Sequence, residues 1–297
     1  DLRKASLLEA RMQEVGLIGA QLKGAEMSDA YLQEARIMGG LRDSVSLRRA
    51  RLQGAYLMGA SLQGADIEKA YLDSADLSNA DLKGAVLVNS SLDSTDLERA
   101  DLRYANLSKA DLSDTDLYNA QLDTANLHDI DLKQADLRSA ELTGATLTWA
   151  NLDSTELQET NLTNADLRIA NFEGAGFFKT RLDSASLQAA DLARTDLRRT
   201  SFRDANLTRA DLTGVVLTDL KHSADLQDAH LFGALLDSLR CGSSYNNTVN
   251  CAQNPKMVSR AANVLCSSAS LRGISVDPKI LKKIRQECPV LLESNFD

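Results

Sequence analysis

Large apolar residues recur every five positions through most of this chain. From Leu2 to Leu217 they hold the positions ending in 2 or 7, and 36 of these are Leu. Met12, Met27, Ile37, Ile67, Phe172, Phe177 and Phe202 fill the others, apart from Arg42. Two positions earlier Ala predominates, as in Ala75-Asp76-Leu77, Ala80-Asp81-Leu82 and Ala100-Asp101-Leu102. A period of five matches neither the helical 3.6 nor the strand period of 2. It fits short extended segments separated by turns, each unit making one wall of a coil. Leu and Ala then point inward, the residue between them faces solvent, and the last pair turns the corner.

The units Ala75-Asp76-Leu77-Ser78-Asn79, Ala105-Asn106-Leu107-Ser108-Lys109 and Ala110-Asp111-Leu112-Ser113-Asp114 follow the motif A(D/N)LXX. This resembles the pentapeptide-repeat proteins, over residues 1–241. The resemblance implies an all-β chain, a right-handed quadrilateral parallel β-helix. Its coils of about 20 residues stack about 4.8 Å apart, and about 12 of them make a rod roughly 55–60 Å long. Residues 242–297 form a second unit.

Two faults interrupt the repeat. Arg42 stands at an inward position, and an unpaired buried charge is costly, so a bulge or short loop is expected at Gly40–Ser44. Near residues 219–224 one residue is missing, and the register restarts at Ala224-Asp225-Leu226. His222 falls at this gap, as a corner residue rather than a ligand.

After Cys241 the composition changes. Gly242 to Thr248 reads as a loop. Asn254-Pro255 and Asp277-Pro278 look like helix starts, so a small α-helical C-terminal cap over the rod end is expected. Cys241, Cys251, Cys266 and Cys288 are the only cysteines. Cys241–Cys251 and Cys266–Cys288 bridges are the candidate disulfides, although four cysteines allow three pairings. Disulfides would favour an extracytoplasmic compartment; reduced structural thiols in the cytoplasm are the other reading. The chain opens inside the repeat without Met, and a preceding N-terminal segment is expected. No apolar run is long enough to span a bilayer.

Residues twenty apart should sit above one another, which turns the sequence into a surface map. One column reads Asp76, Asp96, Asp116, Asp136, Glu156, Gly176, Asp196. A second holds Asp111, Asp131, Asn151, Asn171, Asp191 and Asp211, and a third Asp81, Asp101, Gln121 and Glu141. Near the start, Arg11, Tyr31, Arg51 and Tyr71 are expected to alternate in one column. Ile18, Met38 and Met58, each followed by Gly, are expected to form an apolar partner-contact patch.

His128, His222 and His230 are the only histidines and are widely separated, so no triad or histidine metal cluster is expected. A convex rod offers no closed pocket in which to shift carboxylate pKa values. The expectation is a non-catalytic chain without cofactor or metal that presents its surface to a protein. Residues 61–220 carry 28 acidic and 15 basic groups, a net of −13. That opposes direct nucleic-acid binding, which needs a basic footprint. The resemblance also implies an alternative, since some members are acidic DNA mimics that bind DNA gyrase and other type II topoisomerases. Against that use, Asp or Asn at this position can simply bond nearby backbone as part of the repeat.

Overall fold

Every N–H of the five-residue unit has a defined acceptor, and this explains the motif. In the unit Asp76–Ala80 of the computed structural model, the Asp76 N–H donates to Ala55 O of the preceding coil. The Leu77 and Asn79 N–H groups donate to Asp96 O and Glu98 O of the following coil, and the Ala80 N–H closes the turn onto Leu77 O. Only the Ser78 N–H lacks a backbone partner, and it donates to Asp76 Oδ1 at 3.0 Å. Asn serves equally: Ser108 and His128 donate their N–H groups to Asn106 and Asn126 Oδ1 at 3.1 and 3.2 Å. An unsatisfied buried donor is costly, so Asp or Asn before the Leu completes the backbone in the units that carry it.

The structure describes residues 1–17, 20–36, 45–213, 215–217, 230–231, 235–236 and 275–276. Single-residue parallel bridges link positions twenty apart from Ser46↔Asp66 to Asp191↔Asp211. With one bridge per five-residue unit, each coil has four walls. The walls are named here by the residues of one coil: the Asp96, Asp101, Asn106 and Asp111 faces. Leu and Ala fill the interior; Leu77, Leu82 and Leu102 are wholly buried, each such side chain contributing about 1.5–3 kcal/mol. Thr replaces Ala at some inward positions, and its hydroxyl is satisfied there: Thr160 and Thr180 donate to Leu137 O and Leu157 O at 2.7 and 2.6 Å.

The turn places its last residue in the left-handed region, from Lys4 (φ 59°) to Arg209 (φ 60°). Most of these residues are polar or glycine; the least suited to that backbone are Trp149 (φ 65°) and Ile169 (φ 61°).

One coil is longer. Gln21, Glu26, Tyr31 and Arg36 pair with Ser46, Arg51, Tyr56 and Ser61, 25 positions on in each case. One additional five-residue unit therefore lies between Arg36 and Val45. Arg42 and the expected bulge fall in this interval, outside the described residues.

At the other end β1 (Val216–Leu217) pairs in parallel with β3 (Leu235–Leu236), and β2 (His230–Leu231) with β4 (Ser275–Val276). Val216 faces Leu235, 19 positions on. This is the one-residue deletion read near residues 219–224. His222, the four cysteines and both expected helices lie outside the described residues. Among the described residues no helix is long and apolar enough to cross a membrane.

Candidate interaction surface

The bridges assemble the expected acidic column on one wall: Asp76↔Asp96, Asp96↔Asp116, Asp116↔Asp136, Asp136↔Glu156, Glu156↔Gly176 and Gly176↔Asp196. The other two acidic columns assemble as well, on the Asp111 and Asp101 faces.

The charges of the Asp96 face are not uniform. Arg138 spans two coils, its Nη2 2.5 Å from Asp136 Oδ2 and its Nε 3.2 Å from Glu156 Oε2. Asp136 raises the Arg138 pKa in return, chiefly by its hydrogen bond. Asp196 is paired with Arg198. Asp76, Asp96 and Asp116 have no ion pair among the described residues; their Oδ1 atoms accept turn N–H groups from Ser78, Glu98 and Tyr118 at 3.0, 2.9 and 2.9 Å. Asp96, in the middle, is held above the ordinary carboxylate range, first by burial and then by the neighbouring charges of Asp76 and Asp116. The stretch without ion pairs is thus three carboxylates long, with Arg138 acting electrostatically on Asp116 at its lower end. Sequence spacing located the column, but not the corner arginines that neutralise its lower part.

On the Asp101 face the second carboxylate of the column, after Asp81, is neutralised. Arg103 grips Asp101 through two bonds of 2.8 and 2.5 Å, and that hydrogen bonding lowers the Asp101 pKa. Arg168 does the same to Asp166 on the Asn106 face. The Asn106 face is otherwise the least charged, reading Val86, Asn106, Asn126, Thr146, Asp166, Ser186 and Asn206.

Two expected columns are corrected by the 25-residue coil. Tyr31 pairs with Tyr56, not with Arg51, and Arg51 lies over Glu26. The column of Arg11, Tyr31, Arg51 and Tyr71 is therefore split in two: Arg11 pairs with Tyr31 and Arg51 with Tyr71 as expected, but between these pairs the rings of Tyr31 and Tyr56 stack instead, with centroids 4.9 Å apart. The same shift moves Met58 over Gln33: the Glu34 N–H donates to Met58 O, and the Glu14 N–H to Gln33 O. Met58 is exposed, but its neighbours along the rod are Gln33 and Ser78, both polar. Ile18 and Met38, the other members of the expected patch, lie outside the described residues.

One feature went unread in the sequence, although the twenty-residue spacing contains it. At the corner between the Asn106 and Asp111 faces, Trp149, Ile169, Ala189 and Arg209 follow one another on successive coils. The Trp149, Ile169 and Ala189 N–H groups donate to Arg168, Gln188 and Thr208 O at 3.1, 3.0 and 2.9 Å. They line a cleft of about 410 Å³.

The pentapeptide repeats family model matches the chain in eight copies, over residues 43–79, 80–117, 90–129, 115–155, 146–183 and 180–219. Among solved structures the chain is similar to HetL, a pentapeptide repeat protein involved in heterocyst differentiation regulation from the cyanobacterium Nostoc sp. strain PCC 7120. Identity is 33% over 80% of this chain and 91% of HetL, with a TM-score of 0.45. It is also similar to QnrB1, a plasmid-mediated fluoroquinolone resistance protein, at 15% identity over 68% of this chain and 90% of that one, with a TM-score of 0.49. A pentapeptide repeat protein from the Arabidopsis thaliana thylakoid lumen matches at 31% identity over 40% of this chain and 69% of its own, with a TM-score of 0.30. No curated protein sequence matches the chain.

Proposed function

Since the chain belongs to the pentapeptide-repeat family, we propose that it is a non-catalytic scaffold that binds protein through its rod surface, with Asp76, Asp96 and Asp116 as the docking ridge for a cationic partner. One observation carries this reading. The turn accepts Asn as readily as Asp, yet the Asp96 face keeps acid at every coil from Asp76 to Glu156 while the Asn106 face does not. Backbone satisfaction alone gives no reason to sort charge by face. Like charges about 4.8 Å apart repel, and Asp96, raised first by burial, is raised further by Asp76 and Asp116. A cationic surface laid on the ridge would relieve that repulsion.

The test uses the triple variant D76N/D96N/D116N, which keeps every turn acceptor. The wild-type chain should retain protein partners that elute with moderate salt, and the triple variant should fold and lose them. Identical partners on both proteins would overturn the reading.

The net of −13 over residues 61–220, from 28 acidic and 15 basic groups, favours a second reading as a DNA mimic that binds a type II topoisomerase. A DNA-supercoiling assay with gyrase decides it; no inhibition or protection at micromolar protein excludes that use. The right-handed sense, the number of coils, and a helical cap in residues 242–297 with Cys241–Cys251 and Cys266–Cys288 bridges belong to the same proposal.

A further inference from the structure

The corner that carries Trp149 and Ile169 is strained in a way the fold does not require. Every described turn puts its last residue at positive φ, and Gly, Asn, Ser, Asp or a long flexible side chain usually stands there. Ile, branched at Cβ, is among the residues least tolerant of that region, and Trp is bulky. Here the two stand on adjacent coils, with no apolar cover: Trp149 is 58% exposed and Ile169 43%. Strain and exposed apolar area are thus concentrated at one place.

The surroundings specify an occupant. Ala189 leaves a gap beyond the Trp149–Ile169 ledge, and Arg209 closes the far end. Arg209 is exposed and makes no side-chain hydrogen bond or ion pair among the described residues. Arg168, on the wall, is already gripped by Asp166. Beyond Trp149 stands Asp129, exposed, whose N–H donates to Thr148 O. The cleft therefore carries opposite charge at its two ends, negative beyond the Trp149 end and positive at the Arg209 end. The side-chain amide oxygen of Gln188, between them, is buried without a hydrogen-bond partner. A terminal amide torsion is soft, so it can turn to accept a donor that enters.

From Trp149 to Arg209 is three coil steps, about 14 Å, or about four residues of extended chain. We propose that this cleft binds a short extended peptide of a partner protein. An apolar, preferably aromatic, side chain rests on Trp149 and Ile169, a backbone N–H donates to Gln188, and an Asp or Glu about three residues away pairs with Arg209. The site is separate from the Asp76–Asp116 ridge, and either can fail without the other.

Trp149 is the only tryptophan in the chain, so its emission reports on the cleft directly. The probes are capped hexapeptides with Phe and Glu three positions apart, in both orders and without Trp. One order should shift Trp149 emission saturably. Followed by anisotropy of the labelled peptide, Trp149→Gly and Ile169→Gly should each weaken binding about tenfold or more. Both variants should unfold at an unchanged or higher temperature, because glycine suits the left-handed backbone. Arg209→Glu should lose the Glu peptide and gain its Lys counterpart. No emission change up to millimolar peptide would overturn the proposal, as would undiminished binding to Trp149→Gly. Equally tight binding of 3-phenylpropionate alone would also overturn it, by making the cleft a small-molecule site.

Discussion

Tyr31 lies nearly flat against Tyr56, their ring planes 11° from parallel, where an uninterrupted repeat would put Arg51. The contact exists because the coil that joins them is five residues longer than its successors. A double-mutant cycle should therefore find Tyr31 coupled to Tyr56 by about 0.5–1.5 kcal/mol. The same cycle between Tyr31 and Arg51, read from denaturant unfolding, should give no coupling beyond error.

Asp76 serves the fold through one oxygen rather than through its charge. Its Oδ1 accepts both the Ser78 N–H at 3.0 Å and the Ser78 hydroxyl at 2.6 Å. Asp76→Ala should cost about 0.5–1.5 kcal/mol for each lost bond, whereas Asp76→Asn should be neutral or stabilising. Chemical denaturation of the two variants beside wild type checks this.

Asp96 should show the opposite of a stabilising ion pair. Its folded pKa lies above the unfolded value, so its ionised form opposes folding at neutral pH. Asp96→Asn should raise the unfolding midpoint at pH 7 while keeping the Glu98 turn bond. The gain should shrink as pH falls through the raised value toward the ordinary one, about 3.9.

Asp101 reverses that sign. Arg103 depresses its folded pKa, so its contribution is present above the unfolded value and lost as pH falls through the folded one. Asp101→Asn should lower the unfolding midpoint at pH 7, and the deficit should close below about pH 3.9. Thermal scans across pH, on Asp96→Asn and Asp101→Asn together, separate the two trends.

The core was legible because the period of five is a packing rule. Leu77 and Leu102 are buried where the spacing put them, and so is the acidic column from Asp76 onward stacked as expected. The two irregularities were not equally visible. A deletion of one residue changes the phase of the Leu pattern, and the 19-residue pairing of Val216 with Leu235 matches the slip read in the sequence. An insertion of five preserves that phase. Arg42 marked its place, but nothing in the spacing showed that Tyr31 would meet Tyr56 or that Met58 would sit over Gln33. The Trp149 cleft was missed for a different reason. Its residues occupy turn positions, where side-chain type is set by φ rather than by inside–outside pattern, so the informative signal was how poorly Ile169 suits its backbone.

The most direct test is a carbon-detected NMR titration of the Asp96 carboxyl, in wild type and in D76N/D116N. Burial together with crowding on a ridge without ion pairs predicts a midpoint above the ordinary Asp value that falls when both neighbours become Asn. An Asp96 that titrates at or below the ordinary value, unmoved by the double substitution, would contradict the ridge and the docking role built on it.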